Sequence, residues 1–284
     1  MPIPAEINGY RLSQLVVDRF RLDGGAMFGS VPKNLWRRRI AADSENRIQL
    51  CCRMLILEGH GRKIAIEVGS GTKWDEKQRA IYCFEPQLSL PLQETLTGVT
   101  DIIITHLHFD HAGGLTYRDA EGNLHLSFPD ATVYIQKKNW ERAHEPGPRE
   151  RATYFPANFA PLEQGKLKLC SPGEEIFPGV AVFEANGHTD GLQWVKISGP
   201  EGVVAFPSDL IPTAHHVPIP YLMGYDLCAS TTMREKELFL TEAAREGWWV
   251  VFGHDAETCG GQISYDKKGS FELVSPNDLP FFSA

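Results

Sequence analysis

The sequence predicts a layered α/β fold on three observations: short apolar runs closed by glycine or polar turns, helix-like segments set between them, and ligand-capable side chains standing just after several runs. Segments 12–17, 50–57 and 63–68 are rich in Leu, Ile, Val and Cys and read as strands of a covered sheet. "RKIAIEVGSG" ends in glycines, which suits a strand entering a loop. "SLPLQETLTG" (89–98) predicts a short helix stopped at Gly98, and "VTDIIITHLH" a buried strand. "ATVYIQ" (131–136) is the next strand, and "KKNWERAHE" a helix. The stretch around 139–165, above all "PGPRERATYFPANFAPLEQG", is too irregular for core and too aromatic for a plain linker, so it reads as a lid or pocket wall. Strands follow near 180–184, 193–197 and 202–206, the last two joined through "SGPEG" as a hairpin. Thr232 with Glu235 has the capping-box spacing and opens a helix ending before Gly247. "WWVVFGHD" returns as a strand, and "GQISYDKKGSFELV" as a closing hairpin. No repeat or Gly/Ser linker divides the chain, so one domain over 1–284 is expected.

Bulk properties narrow the function. No apolar run approaches the roughly eighteen residues of a membrane span. The opening "MPIPAEINGYRLSQ" lacks the basic and apolar regions of a signal peptide, so a cytoplasmic location is expected. A formal charge of −8 argues against nucleic acid, whose recognition depends on clustered Lys and Arg. Six cysteines without a C-x-x-C spacing read as reduced, packed thiols.

The chemistry concentrates in "ITHLHFDHAGG" (104–114). Alternate side chains of an extended segment point the same way, so His106 and His108 converge on one point. Asp110 and His111, past the bend, face a second point nearby. Imidazoles with a carboxylate and no thiolate favour a borderline ion such as zinc. Three isolated residues stand after predicted strands at glycine or turn positions and offer the missing partners: His188 in "EANGHTDG", Asp209 in "VVAFPSDL" and His254 in "VVFGHD".

H-x-H-x-D-H, then Gly-His-Thr, a lone Asp and a late His, in that order over about residues 50–260, resemble the metallo-β-lactamase superfamily of binuclear metal hydrolases. The resemblance implies an αββα four-layer sandwich of two mixed sheets with helices outside. It also implies a first metal on His106, His108 and His188, a second on Asp110, His111 and His254, and Asp209 bridging them. Two Zn²⁺ ions per chain are expected, with Mn, Fe or Co as other occupants, a hydroxide held between them, and Asp110 and Asp209 helping to pass the proton. Within the superfamily, "FRLDGGAMFGSVPKNLW", "THLHFDHAGG", "ERATYFPANFAPLEQG" and "GYDLCASTTMREKELFL" resemble the lactonase-like branch of N-acyl homoserine lactonases and methyl parathion hydrolases. The chain departs from that branch at Glu67, where many members have Asp, at Gly191 and Leu192 after Asp190, where relatives have Gly-His, and at Pro212, where lactonases carry a tyrosine.

The expected substrate is a small neutral lactone, ester or phosphotriester. Met27, Phe28 and Trp36 of the first loop, with Trp140, Tyr154, Phe155 and Phe159 of the insert, are candidates for an apolar pocket wall. His215, His216, Tyr221 and Tyr225 are candidates to contact substrate past Asp209. Two other readings compete: a thioester hydrolase of the glyoxalase II kind, and a metal-bound binding protein without turnover. Loops such as 27–36 offer apolar surface for a homodimer. No membrane or nucleic-acid partner is expected.

Overall fold

In the computed structural model, which describes residues 2–282, two twisted sheets pack face to face. The first runs, in spatial order, Glu6–Ile7, Tyr10–Asp23, Arg47–Gly59, Arg62–Ile66, Asp101–Ile103, Thr132–Gln136 and Lys166–Cys170, with Glu85–Pro86 paired to the second of these. The other runs Glu174–Phe177, Val180–Ala185, Leu192–Gly199, Gly202–Phe206, Trp249–Val251, Gly260–Tyr265 and Phe271–Asn277. Both sheets are mixed. Arg62–Ile66 to Lys166–Cys170 run parallel in the first, and Gly202–Phe206 with Trp249–Val251 in the second.

The period-2 alternation of each strand divides its apolar side chains between layers. Leu55, Leu57, Ile64, Ile66 and Ile103 face inward, against Val182, Val195, Ile197, Phe206 and Val251 of the other sheet. Met54, Ile56, Ala65 and Ile102 face outward, under short helices and loops that include Phe28, Trp36 and Leu96. Ala205, Val250 and Phe252 meet Phe239, Leu240 and Ala243 of the Ala229–Glu246 helix. Helices therefore cover both outer faces of the sandwich, which is the expected four-layer arrangement. Phe206 is fully buried between the sheets, and Phe206→Ala is expected to lower the unfolding free energy by about 3–5 kcal/mol, read from the urea midpoint. A loss below about 1 kcal/mol would mean that the sheets do not pack through this ring.

The predicted strands and the closing hairpin stand where the sequence places them, apart from end shifts of a few residues. The capping box does not. The long helix begins at Ala229 after Cys228, so Thr232 lies inside it and returns its hydroxyl to Cys228 O (3.3 Å). The Glu235 carboxylate reaches across to the backbone N–H groups of Asn186 (2.9 Å) and Gly187 (3.0 Å). The helix predicted at 89–98 shrinks to Leu92–Thr95. All six cysteines are free, four of them buried. No helix among the described residues is long and apolar enough to cross a membrane.

Candidate metal centre

Strand ends deliver the seven side chains to one edge of the sandwich. Asp101–Ile103 runs into extended residues carrying His106 and His108, and a single turn, Phe109–Ala112, carries Asp110 and His111. His188 follows Val180–Ala185, Asp209 follows Gly202–Phe206, and His254 follows Trp249–Val251. All seven are buried. Two strand-end residues that are not glycine hold left-handed backbone here, Glu67 (φ 73°) and Ser208 (φ 50°), a strain of about 1–2 kcal/mol each. The surroundings hold them there: the Glu67 carboxylate accepts from Thr105 N (3.1 Å) and meets His111 Nδ1 (3.1 Å), and Ser208 Oγ bonds Thr105 Oγ1 (2.7 Å).

The turn that carries Asp110 and His111 is seated by a close glycine seam. A Cβ on Gly113 would lie 2.0 Å from Ser70 O, and one on Gly71 2.4 Å from Gly113 O. Only glycine permits that approach of two backbones.

The ring hydrogen bonds decide what the cluster can bind. His188 Nδ1 donates to Asp226 Oδ1 (3.0 Å), His111 Nδ1 to Glu67 Oε2 (3.1 Å) and His254 Nδ1 to Cys51 O (2.8 Å). Each of these Nε2 atoms then turns a lone pair inward. His111 Nε2 and His254 Nε2 are only 3.1 Å apart, and His254 Nε2 is 3.0 Å from Asp209 Oδ1. On the other side His108 Nδ1 lies 3.1 Å from His106 Nε2 and 3.3 Å from His188 Nε2, and Asp209 Oδ2 lies 3.3 Å from His188 Nε2. Neutral rings placed this way repel through their lone pairs unless a cation, either a metal ion or a proton, lies among them. Among the described residues no well-aligned donor satisfies Asp209 Oδ1, which suits a site for a cation.

Three overlapping groups each bring ligand atoms within 4.8 Å of one another: His106, His108 and His188; His106, His111 and Asp209; Asp110, His111 and His254. The nitrogen and oxygen donor set without thiolate fits a borderline divalent ion. Burial and the neighbouring imidazoles push His106 and His108 well below the ordinary histidine pKa, keeping them neutral. Burial also works against charge on His111, His188 and His254, but the surrounding carboxylates outweigh it and raise all three. For Asp209 burial again opposes charge, and His254 and His111 override it and hold the carboxyl well below its usual range.

Tyr154, expected at the pocket wall, and several residues the sequence did not single out fix the loops. Tyr154 donates to Thr189 Oγ1 (2.8 Å), which donates to Glu150 Oε2 (2.8 Å). Arg142 pairs with Glu150 (3.0 Å) and with Asp190, so the insert is pinned to the His188 loop. Asn139 accepts from Leu107 N (2.9 Å) between the two histidines of the strand end. Asp226 is buried behind His188. Asp226→Asn keeps the shape and removes the charge, and is expected to weaken metal affinity about 10–100-fold, measured by competition with a chromophoric chelator. Unchanged affinity would show that the contact orients nothing.

A cavity of about 260 Å³ opens onto Asp110, Asp209, His108, His188 and His254. Its apolar wall is Leu22, Met27, Leu50, Phe109 and Met223, with Tyr82, Tyr225, Arg149 and Glu150 completing it. Of the residues expected at the pocket, as wall or as substrate contacts, Met27 and Tyr225 line it. Phe28, Trp36 and His216 do not: Phe28 stacks against Trp36 (5.4 Å) and His216 (4.7 Å), and all three are buried behind Met27. His216 Nε2 donates to Met27 O (2.8 Å), so its ring holds the wall instead of forming it. Phe155 packs on Trp74 and lines a separate cavity with Lys73 and Arg118. Tyr154 lies beneath His108, ring centroids 4.7 Å apart, while Trp140 and Phe159 pack on the outer core. Tyr221 meets Phe28 and Arg39, and His215 lines a further cavity with Arg19 and Asp255. The 27–36 loop buries its aromatics and leaves only Leu35 exposed among its large apolar side chains.

Comparison with known proteins agrees with this geometry. Residues 54–254 match the family described as the Metallo-beta-lactamase superfamily. The chain belongs to that superfamily. An N-acyl homoserine lactonase of Bacillus cereus is 30% identical over 161 residues, covering 55% of this chain and 56% of that protein. The chain thus spans about half the length of the curated relatives it matches. Among solved structures of the fold, a probable metal-dependent hydrolase from Staphylococcus aureus superposes with a TM-score of 0.85 at 26% identity, covering 95% of this chain and 99% of that one. AidC, a dizinc quorum-quenching lactonase in complex with a product, shares the fold with a TM-score of 0.74 at 19% identity, covering 100% of this chain and 98% of that one.

Proposed function

We propose that this superfamily member is a single-domain, metal-dependent hydrolase of a small neutral lactone, ester or phosphotriester. His106, His108 and His188 would hold one zinc ion, Asp110, His111 and His254 a second, with Asp209 shared between them. The observation that carries this reading is the set of inward lone pairs that Asp226, Glu67 and Cys51 O impose on His188, His111 and His254, at the floor of a largely apolar cavity. Bound there, a metal pair supplies Lewis acidity and a water that ionises near neutral pH.

The protein's own groups do the rest. Leu22, Met27, Leu50 and Met223 exclude water and take the apolar part of the substrate. Asp110 reaches the cavity, where its carboxylate accepts the proton lost by the attacking water and returns it to the leaving oxygen. Asp209 shares its two oxygens between the two halves of the cluster and fixes their spacing. The relatives support a lactone or ester first: the Bacillus cereus homologue is an N-acyl homoserine lactonase. A screen of zinc-reconstituted protein with acyl lactones, aryl esters, S-lactoylglutathione and methyl parathion tests the proposal. Turnover of the lactones or aryl esters is expected; turnover of S-lactoylglutathione alone, or of nothing, contradicts it.

A further inference from the structure

The cavity holds two phenols that the chemistry above does not use. Tyr82 closes the Glu76–Tyr82 helix, and its ring sits in an aromatic box formed by Trp74, Phe84 and Phe109 at centroid distances of 5.7, 5.6 and 5.3 Å. That box fixes the ring. Tyr225 lines the same cavity, on a loop tied down at Gly224, whose carbonyl accepts from Arg149 and whose N–H donates to Ala26 O (2.7 Å). Tyr225 is 39% exposed as a residue, so it forms part of the rim.

Both residues line the cavity together with Asp110, and neither hydroxyl finds a hydrogen-bond partner among the described residues. Tyr154, one wall away, shows the contrast: its hydroxyl is tied into Thr189 and Asn139. Burial raises the pKa of Tyr82 and of Tyr225, and the Asp110 carboxylate pushes in the same direction, so both keep their protons and remain donors. The apolar wall of Leu22, Met27, Leu50 and Met223 offers them no acceptor. A donor left open beside an apolar wall is satisfied when a ligand brings the acceptor.

We infer that Tyr82 is a substrate-binding residue that works with Tyr225: the two hydroxyls donate to the carbonyl oxygen of a neutral acyl compound and hold it over the histidine and aspartate cluster. This rests on the hydrolase reading and adds the substrate feature that the pocket selects. Tyr82 is the fixed donor, and Tyr225 donates from the rim.

The test uses the full, zinc-reconstituted chain as wild type, Tyr82→Phe, Tyr225→Phe and the double variant, with an N-hexanoyl homoserine lactone and an aryl butyrate as probes. Removing one hydroxyl is expected to lower kcat/KM about 10-fold or more on both probes. The double variant should lose less than the product of the two single losses, because both donors serve one oxygen. Metal content and melting temperature should stay at the wild-type values. A Tyr82→Phe variant with wild-type kcat/KM overturns the inference, as does one that loses metal or melts early, since the residue would then be structural. If the wild type turns over nothing, the hydrolase reading fails instead, and the lactone becomes a stable ligand. Its titration by indole fluorescence, to which Trp74 beside Tyr82 contributes, then decides: several-fold weaker binding by Tyr82→Phe upholds the phenol assignment, and equal binding overturns it.

Discussion

Asp209→Ala is expected to reduce hydrolytic turnover by at least about 10³-fold and to lower the metal content of the purified protein below two ions per chain. The carboxylate lies 3.3 Å from His188 Nε2 through one oxygen and 3.0 Å from His254 Nε2 through the other, so it belongs to both halves of the cluster at once. Its removal leaves five inward-facing imidazoles with only Asp110 to offset the positive charge of the ions. Asp209 also sits on a strained turn, since Ser208 before it is left-handed, and that strain is maintained by the Ser208 to Thr105 hydrogen bond and not by Asp209. The variant should therefore fold, with a melting temperature close to that of the metal-free wild type. Elemental analysis beside a steady-state assay checks both parts; full turnover with two ions bound would remove Asp209 from the centre.

Gly113→Val carries the largest expected effect on the fold around the site. A Cβ at this position meets the carbonyl oxygen of Ser70 at 2.0 Å, the carbonyl carbon at 2.3 Å and the Cα at 2.8 Å, all of them backbone atoms that cannot rotate away. The turn bearing Asp110 and His111 would have to lift off the loop after Arg62–Ile66, breaking the hydrogen bond from Val68 N to His111 O (3.2 Å). A loss of about 4 kcal/mol or more is expected, at the upper end for a single substitution. Urea unfolding measures it. Gly122→Val, at the exposed turn between the paired strands Thr116–Arg118 and Leu124–Leu126, is the control, because among the described residues a Cβ there meets nothing within 4 Å and only its φ of 88° imposes strain.

The architecture was legible because buried strands leave a strong trace. "RMLILEG" and "RKIAI" are apolar on both faces, and the structure places their two faces in two different cores. The seven clustered side chains were legible for a related reason: four stand within six positions, and the other three each follow an apolar run that ends in a turn. The pocket wall was not, because an aromatic residue has the same sequence signature in a core as on a wall. Phe28 and Trp36 went to the core because the Phe28 ring stacks on His216 as well as on Trp36, the first a contact made across 188 residues of chain, and nothing local to either segment announces it. Tyr82 was hidden by distance from the motif, although its helix is well marked by the Asp75 and Gln78 capping box. Glu235 has the spacing of a cap but serves the His188 loop, since the long helix starts a turn earlier at Ala229.

The central claim is that His106, His108, Asp110, His111, His188, Asp209 and His254 hold two metal ions. Anomalous scattering at the zinc edge, from crystals of zinc-reconstituted protein, tests it directly. Two peaks are predicted, one among His106, His108 and His188 and one among Asp110, His111 and His254, with Asp209 reaching both. A single peak away from Asp209, or none within this cluster, would contradict it.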